Sequence, residues 1–305
     1  MEIFLKKKWF AVVGAILCTL LWGSAYPMIK YGYMTLQIDT TAEKLIFAGI
    51  RFLIAGAMVF LAAWVKEKRL PTVPRPLVGG AVLYGVLQTG LMYILNYIGV
   101  AHTTATKTAI LTAGSAFFAV LFAPLFFREE RLTALKLIGA AVGLAGIAVV
   151  NLGDLSGGFT LTGEGFVLLA TLLNTAGSFV GKRISRGRVF TMTAYQLMIG
   201  AALILAVGLL MGGTFVMSLQ GIGITLYLAF VSAAAFSLWT ALLVHHEAGR
   251  ILVFNLLIPI FGAMWSYLIL GEKNILDPMY LLSVALICIG IFSVNYHKNP
   301  RSISS

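Results

Sequence analysis

Apolar residues run along this chain in long unbroken blocks, at about residues 9–29, 44–65, 77–98, 106–127, 134–151, 163–181, 192–211, 221–244, 251–270 and 279–297. A helix needs roughly 20 predominantly apolar residues to cross the hydrocarbon layer of a bilayer. The blocks are continuous and do not alternate apolar with polar, so they predict helices and not the strands of a membrane barrel. The pattern therefore predicts an all-α membrane protein with ten transmembrane helices and short connections.

Composition strengthens that expectation. Of the 305 residues, 60% are hydrophobic and 11% charged, where a soluble domain carries about 25% charged residues. The mean hydropathy is +0.95. The net charge of +11 calls for no nucleic acid, because membrane proteins gather Lys and Arg in their cytoplasmic loops. With the N-terminus placed in the cytoplasm, that side holds seventeen Lys and Arg, including Lys6 to Lys8, Arg128, Arg131 and the cluster Lys182 to Arg188. The other side holds four: Lys30, Lys44, Lys107 and Lys273. This asymmetry predicts a multi-pass protein of a bacterial-type inner membrane with both termini cytoplasmic. The first 25 residues also have the outline of a secretory signal, but the charge count works with the first span retained.

Ten spans divide into two fives, and five is odd, so a tandem copy must sit upside down. "TLLWGSAYPMIK" (19–30) aligns with "TLLNTAGSFVGK" (171–182), placing Thr19 on Thr171, Trp22 on Asn174, Tyr26 on Ser178 and Lys30 on Lys182. "LFFREERL" (125–132) aligns with "LILGEKNI" (268–275), placing Glu129 on Glu272. These matches predict two inverted five-helix repeats, residues 1–151 and 163–297, followed by a cytoplasmic tail, 298–305. Inverted repeats of this kind characterise secondary transporters, whose halves rock about a site near the bilayer midplane.

Several stretches carry a resemblance. "WGSAYPMIKYG", "IRFLIAG", "LNYIGVAHTTATKTAIL", "LFFREERLTALKLIGAAVGLAGI" and "LLIPIFGAMWSYLILGEKN", in this order and spacing, resemble the drug/metabolite transporter superfamily, specifically its EamA-type exporters. The resemblance covers nearly the whole chain. It implies ten helices in two inverted repeats and export of metabolites such as amino acids. There are departures. The family commonly has a proline in the middle of the fourth span, as the ninth has at Pro259, whereas Ala116 stands there and the proline falls at Pro124. The second half has Gln196 where the first has Arg51.

Polar groups inside a membrane are costly and turn towards the bundle interior or a cavity. Helical spacing groups them. The first span offers Trp22, Tyr26 and Lys30 on one stripe, and the sixth offers Asn174, Ser178 and Lys182. The third offers Tyr84, Gln88 and Asn96 at four-residue steps, with Tyr93 beside them. Thr112, Trp239 and Asn255 come from the fourth, eighth and ninth. Trp22, Tyr26, Tyr84, Gln88, Tyr93, Asn96, Thr112, Asn174, Ser178, Trp239 and Asn255 are thus candidates for substrate contact. Lys30, Arg51, Glu129, Lys182 and Glu272 are candidates for gating or charge recognition. Each has a plainer alternative: hydroxyls bond their own backbone or join helices, and long cationic side chains reach the interface.

Few other chemistries fit. "GSFVGKR" (177–183) lacks the spacing and the hydroxyl of a phosphate loop, and "HHEAGR" is not a zinc-protease helix. No G-x-S-x-G or pair of intramembrane carboxylates is present. Cys18 and Cys288 both lie in apolar runs, so neither a disulfide nor a metal site is expected, and no cofactor is implied. The expected function is secondary transport of a small neutral or zwitterionic solute, such as an amino acid, by a monomer or homodimer in the lipid bilayer. A passive channel or an intramembrane enzyme is the alternative.

Overall fold

The computed structural model describes residues 2–150, 159–271 and 278–296. After a short turn at Glu2–Leu5, ten helices follow. The first repeat contributes α1 (Lys8–Leu36), α2 (Thr41–Glu67), α3 (Arg75–Val100), α4 (Ala105–Phe126) and α5 (Ala134–Val150). The second contributes α6 (Leu161–Ile184), α7 (Val189–Leu210), α8 (Leu219–His245), α9 (Ala248–Leu270) and α10 (Pro278–Asn295). Among the described residues, nine are long and apolar enough to cross a membrane, and α5 is a shorter apolar helix.

Local chemistry sets several boundaries. α2 starts at a capping box: the Glu43 backbone N–H donates to Thr40 Oγ1, and the Thr40 N–H donates to the Glu43 carboxylate. α1 runs to Leu36, beyond the apolar block that ends near 29, because its last turns remain helical as a partly exposed face. Three helices are irregular. α3 widens to a π segment at Val86–Leu91, and α6 opens with one at Leu161–Gly165. α9 tightens to a 3-10 segment at Val253–Leu256, directly before Pro259, which cannot donate to the carbonyl of Asn255. α4 carries its proline near its end and stays regular. The two equivalent helices thus differ in local winding, in keeping with their differently placed prolines.

The packing repeats when every helix number is shifted by five. α1 packs on α8 and α9, and α6 packs on α3 and α4. α2 lies along its own equivalent α7, and α5 along α10. With five crossings in each half, the two halves run in opposite senses through the bilayer. Small residues allow the closest contacts: a Cβ on Gly139 would lie 2.9 Å from the Gly290 carbonyl oxygen. Apolar side chains do not drive helices together in lipid, so such backbone approach supplies much of the association.

Candidate functional site

The face that carries the N-terminus, here the basic face, is closed. Phe127, Phe179, Leu242 and Leu243 pack there in the core between the halves. Within this core lies a buried ion pair. Lys182, near the end of α6, donates from Nζ to Glu130 Oε1 at 2.5 Å and to the His246 carbonyl at 2.8 Å. Its ammonium also sits 4.4 Å from the Phe127 ring centroid. Glu130, between α4 and α5, accepts from the Ala248 and Gly249 N–H groups at the start of α9, at 2.6 and 3.2 Å. The two side chains are only 4% and 2% exposed; a buried pair persists because each charge is saturated by its partners. Beside them Lys136 pairs with Glu247. Burial holds the His246 imidazole below its ordinary pKa. Its Nε2–H donates to the Leu5 carbonyl at 2.7 Å.

Above this closure lies a central cavity of about 590 Å³. Its walls come from the second half of α1, the latter part of α3, the first half of α4, and the middles of α6, α8 and α9. It therefore extends from mid-bundle towards the face opposite the basic one. Aromatic rings line one side: Trp22 lies in edge contact 5.0 Å from Trp239 and 5.3 Å from Phe236, and Tyr93 lies 4.6 Å from Phe52, which is buried behind the wall, centroid to centroid. On the wall towards α6, Gln88 Nε2–H donates to Asn174 Oδ1 at 2.8 Å and Ser178 Oγ–H donates to Gln88 Oε1 at 3.3 Å. Gln88 sits within the π segment of α3, a local widening that recurs at functional positions.

Of the residues singled out from the sequence, Trp22, Tyr26, Gln88, Tyr93, Asn96, Thr112, Asn174, Trp239 and Asn255 line this cavity, and so does Arg51. Tyr84 and Ser178 do not. Tyr84 is buried behind the wall, its hydroxyl 3.0 Å from Thr240 Oγ1, and Ser178 supports Gln88 from below. Lys30 is exposed. Glu129 is also exposed, 3.8 Å from Arg186; its neighbour Glu130 turns inward to Lys182 instead. Glu272 lies outside the described residues.

Two acids passed over in the sequence are buried. Besides Glu130, Glu164 at the start of α6 accepts from Lys107 Nζ at 2.9 Å, Thr103 Oγ1 at 2.7 Å and Thr160 Oγ1 at 2.9 Å. This ties α6 to the α3–α4 corner on the face opposite the Lys182 pair. The stretch "GSFVGKR" also gains a meaning. A Cβ on Gly177 would lie 2.5 Å from Gln88 Oε1, and one on Gly181 2.5 Å from the Tyr84 ring. The spacing Gly-x-x-x-Gly admits another helix, and was the available signal.

Two five-helix halves that enclose a polar cavity, closed at one face, form the architecture of a membrane transporter. The profile of the EamA-like transporter family matches residues 9–152 and again 161–296, and the chain belongs to that family. It is 24% identical to an uncharacterized transporter of Bacillus subtilis over 96% of this chain and 99% of that one. It is 27% identical to a "probable amino-acid metabolite efflux pump" of Salmonella typhimurium, covering 91% of this chain and 92% of the other. An Escherichia coli protein of the same description is 26% identical over 91% of this chain and 92% of its own length. A crystal structure of another protein superposes with a TM-score of 0.79 at 17% identity, over 95% of this chain and 97% of that chain; this likeness concerns the fold.

Proposed function

We propose that the protein is a secondary transporter that exports a small amino-acid-related solute across the bacterial inner membrane by alternating access. The carrying observation is the one-ended cavity: polar and aromatic at mid-bundle, and stoppered at the basic face by the Lys182–Glu130 pair. In this reading the basic face is cytoplasmic, both termini lie there, and the structure is the outward-facing state. The repeats are assigned to residues 1–151 and 163–297. Trp22, Gln88, Asn96, Thr112, Asn174, Trp239 and Asn255 contact the solute; Gln88 is itself positioned by Ser178. Opening to the cytoplasm requires Lys182 and Glu130 to separate while the opposite end draws together, as inverted repeats exchange conformations.

The names of the Salmonella and Escherichia coli relatives support the solute class, and the absence of a phosphate loop from the sequence supports a gradient as the driving force. The test is flux in proteoliposomes with labelled amino acids and their acid derivatives, without ATP. Flux that saturates with concentration is expected. A conductance that rises without limit would make the protein a channel, and no flux for any of these solutes would set the reading aside.

A further inference from the structure

Arg51 is buried within a membrane helix, and no carboxylate among the described residues serves as its counter-ion. It lies ten residues into α2, about 15 Å along its axis at 1.5 Å per residue, and is 4% exposed. Its guanidinium carbon is 4.4 Å from the Phe52 ring centroid and 5.9 Å from that of Tyr93. No carboxylate among the described residues pairs with it, and its Nε–H has no partner. Aromatic faces soften the burial of a cation but do not neutralise it, and an unpaired charge at this depth is costly. Among the described residues Arg51 is also the only charged one in the cavity wall.

Other groups on the wall share this polarity. Trp22 Nε1–H, a donor only, is unpartnered. Asn174, also in the wall, has its oxygen taken up by Gln88. Among the described residues the wall holds no carboxylate for an ammonium group, and its unpartnered amide acceptor, Asn255 Oδ1, is neutral. On the wall the rings of Phe236, Trp22 and Trp239 form a continuous apolar flank, each within 5.3 Å of the next, and Phe52, buried behind the wall, links Arg51 to Phe236.

Resting on the transport reading above, we infer that the solute is a monocarboxylic acid with an apolar or aromatic body and no free amine, bound with its carboxylate at Arg51 and its body along the Trp22–Trp239 flank. Acid derivatives of amino acids, such as N-acylated or deaminated forms, have this chemistry. Free amino acids have the carboxylate but bring an ammonium that meets only neutral acceptors, such as Asn255 Oδ1, on the described wall. The equivalent residue in the other half, Gln196, is sealed away by its bond to Thr89, so the anion site is single.

Four probes with one body isolate the charge: N-acetylphenylalanine (anion), N-acetylphenylalaninamide (neutral), phenylalanine (zwitterion) and phenylalaninamide (cation). Binding to the purified full chain is read from tryptophan fluorescence. A charge-assisted bond predicts that the N-acetyl acid binds at least about tenfold tighter than its neutral amide, with phenylalanine weaker than the N-acetyl acid and phenylalaninamide weakest. Arg51→Gln should erase the gap by weakening the acid and leave the neutral amide unchanged; Arg51→Lys should keep part of it. Equal binding of acid and amide to the wild type, a gap that survives Arg51→Gln, or binding by none of the four would overturn the inference. If Arg51→Gln does not fold, the wild-type comparison decides alone. An acid that binds as expected but is not moved in proteoliposomes would leave this site standing and remove the transport reading.

Discussion

α1 and α6 are equivalent helices, yet at corresponding positions they face different surroundings. From Trp22 onward, α1 presents Ala25, Tyr26, Ile29 and Tyr33 to the open cavity. The equivalent turns of α6, after Asn174, are sealed: Gly177 and Gly181 press on Gln88 and Tyr84, and Lys182 ends in the ion pair. A two-fold scaffold has thus been caught with one end open and the other shut. The chemistry differs too. The cavity stretch of α1 is aromatic where that of α6 is small, so the two ends need not close by mirror-image contacts.

The sharpest break of this comparison is topological. Single cysteines at Lys30 and Arg183, both exposed, should react with membrane-impermeant maleimide from opposite sides only; labelling from one side would end the inverted arrangement. Next, Lys182→Met leaves Glu130 buried and unpaired, which destabilises the shut end by about 3–5 kcal/mol. A cysteine at Phe127 should then become reactive, while one at Tyr26 loses reactivity. Gly177→Ala forces a methyl group against Gln88 and should lower stability by about 1–3 kcal/mol, seen as a fall in Tm, whereas Ala25→Gly at the equivalent place should change Tm far less. Trp22→Ala and Asn174→Ala occupy matched positions and should each slow transport roughly tenfold, equivalent to about 1.4 kcal/mol, with membrane insertion unchanged. Glu129→Gln should do almost nothing, since an exposed ion pair contributes about 0–1 kcal/mol; a large loss of flux would give the outer acid the role assigned here to Glu130.

The ten crossings were legible because lipid imposes one requirement on every block. Trp22, Arg51 and Asn174 were legible because a polar group in such a block must turn inward. Tyr84 was not, and the cause is depth: it shares with Gln88 the face that meets α6, at Gly181 and Gly177 respectively, but stands one turn nearer the closed end, below the cavity floor. Glu130 escaped because it lies between α4 and α5, where helical phase no longer says which of two adjacent acids points in. Glu164 escaped because, beside the local Thr160, its partners Thr103 and Lys107 come from the distant α3–α4 corner, and single-sequence periodicity carries no information on such contacts.

Glu130 does more than neutralise Lys182. Its carboxylate also grips the first turn of α9, and the same helix carries Asn255 in the cavity wall, within the 3-10 segment Val253–Leu256. Under the transport reading, a solute held at Asn255 and the clasp at Glu130 act on one helix. If opening the clasp changes the affinity for the solute by some factor, thermodynamic reciprocity requires that the solute shift the clasp's opening by that same factor.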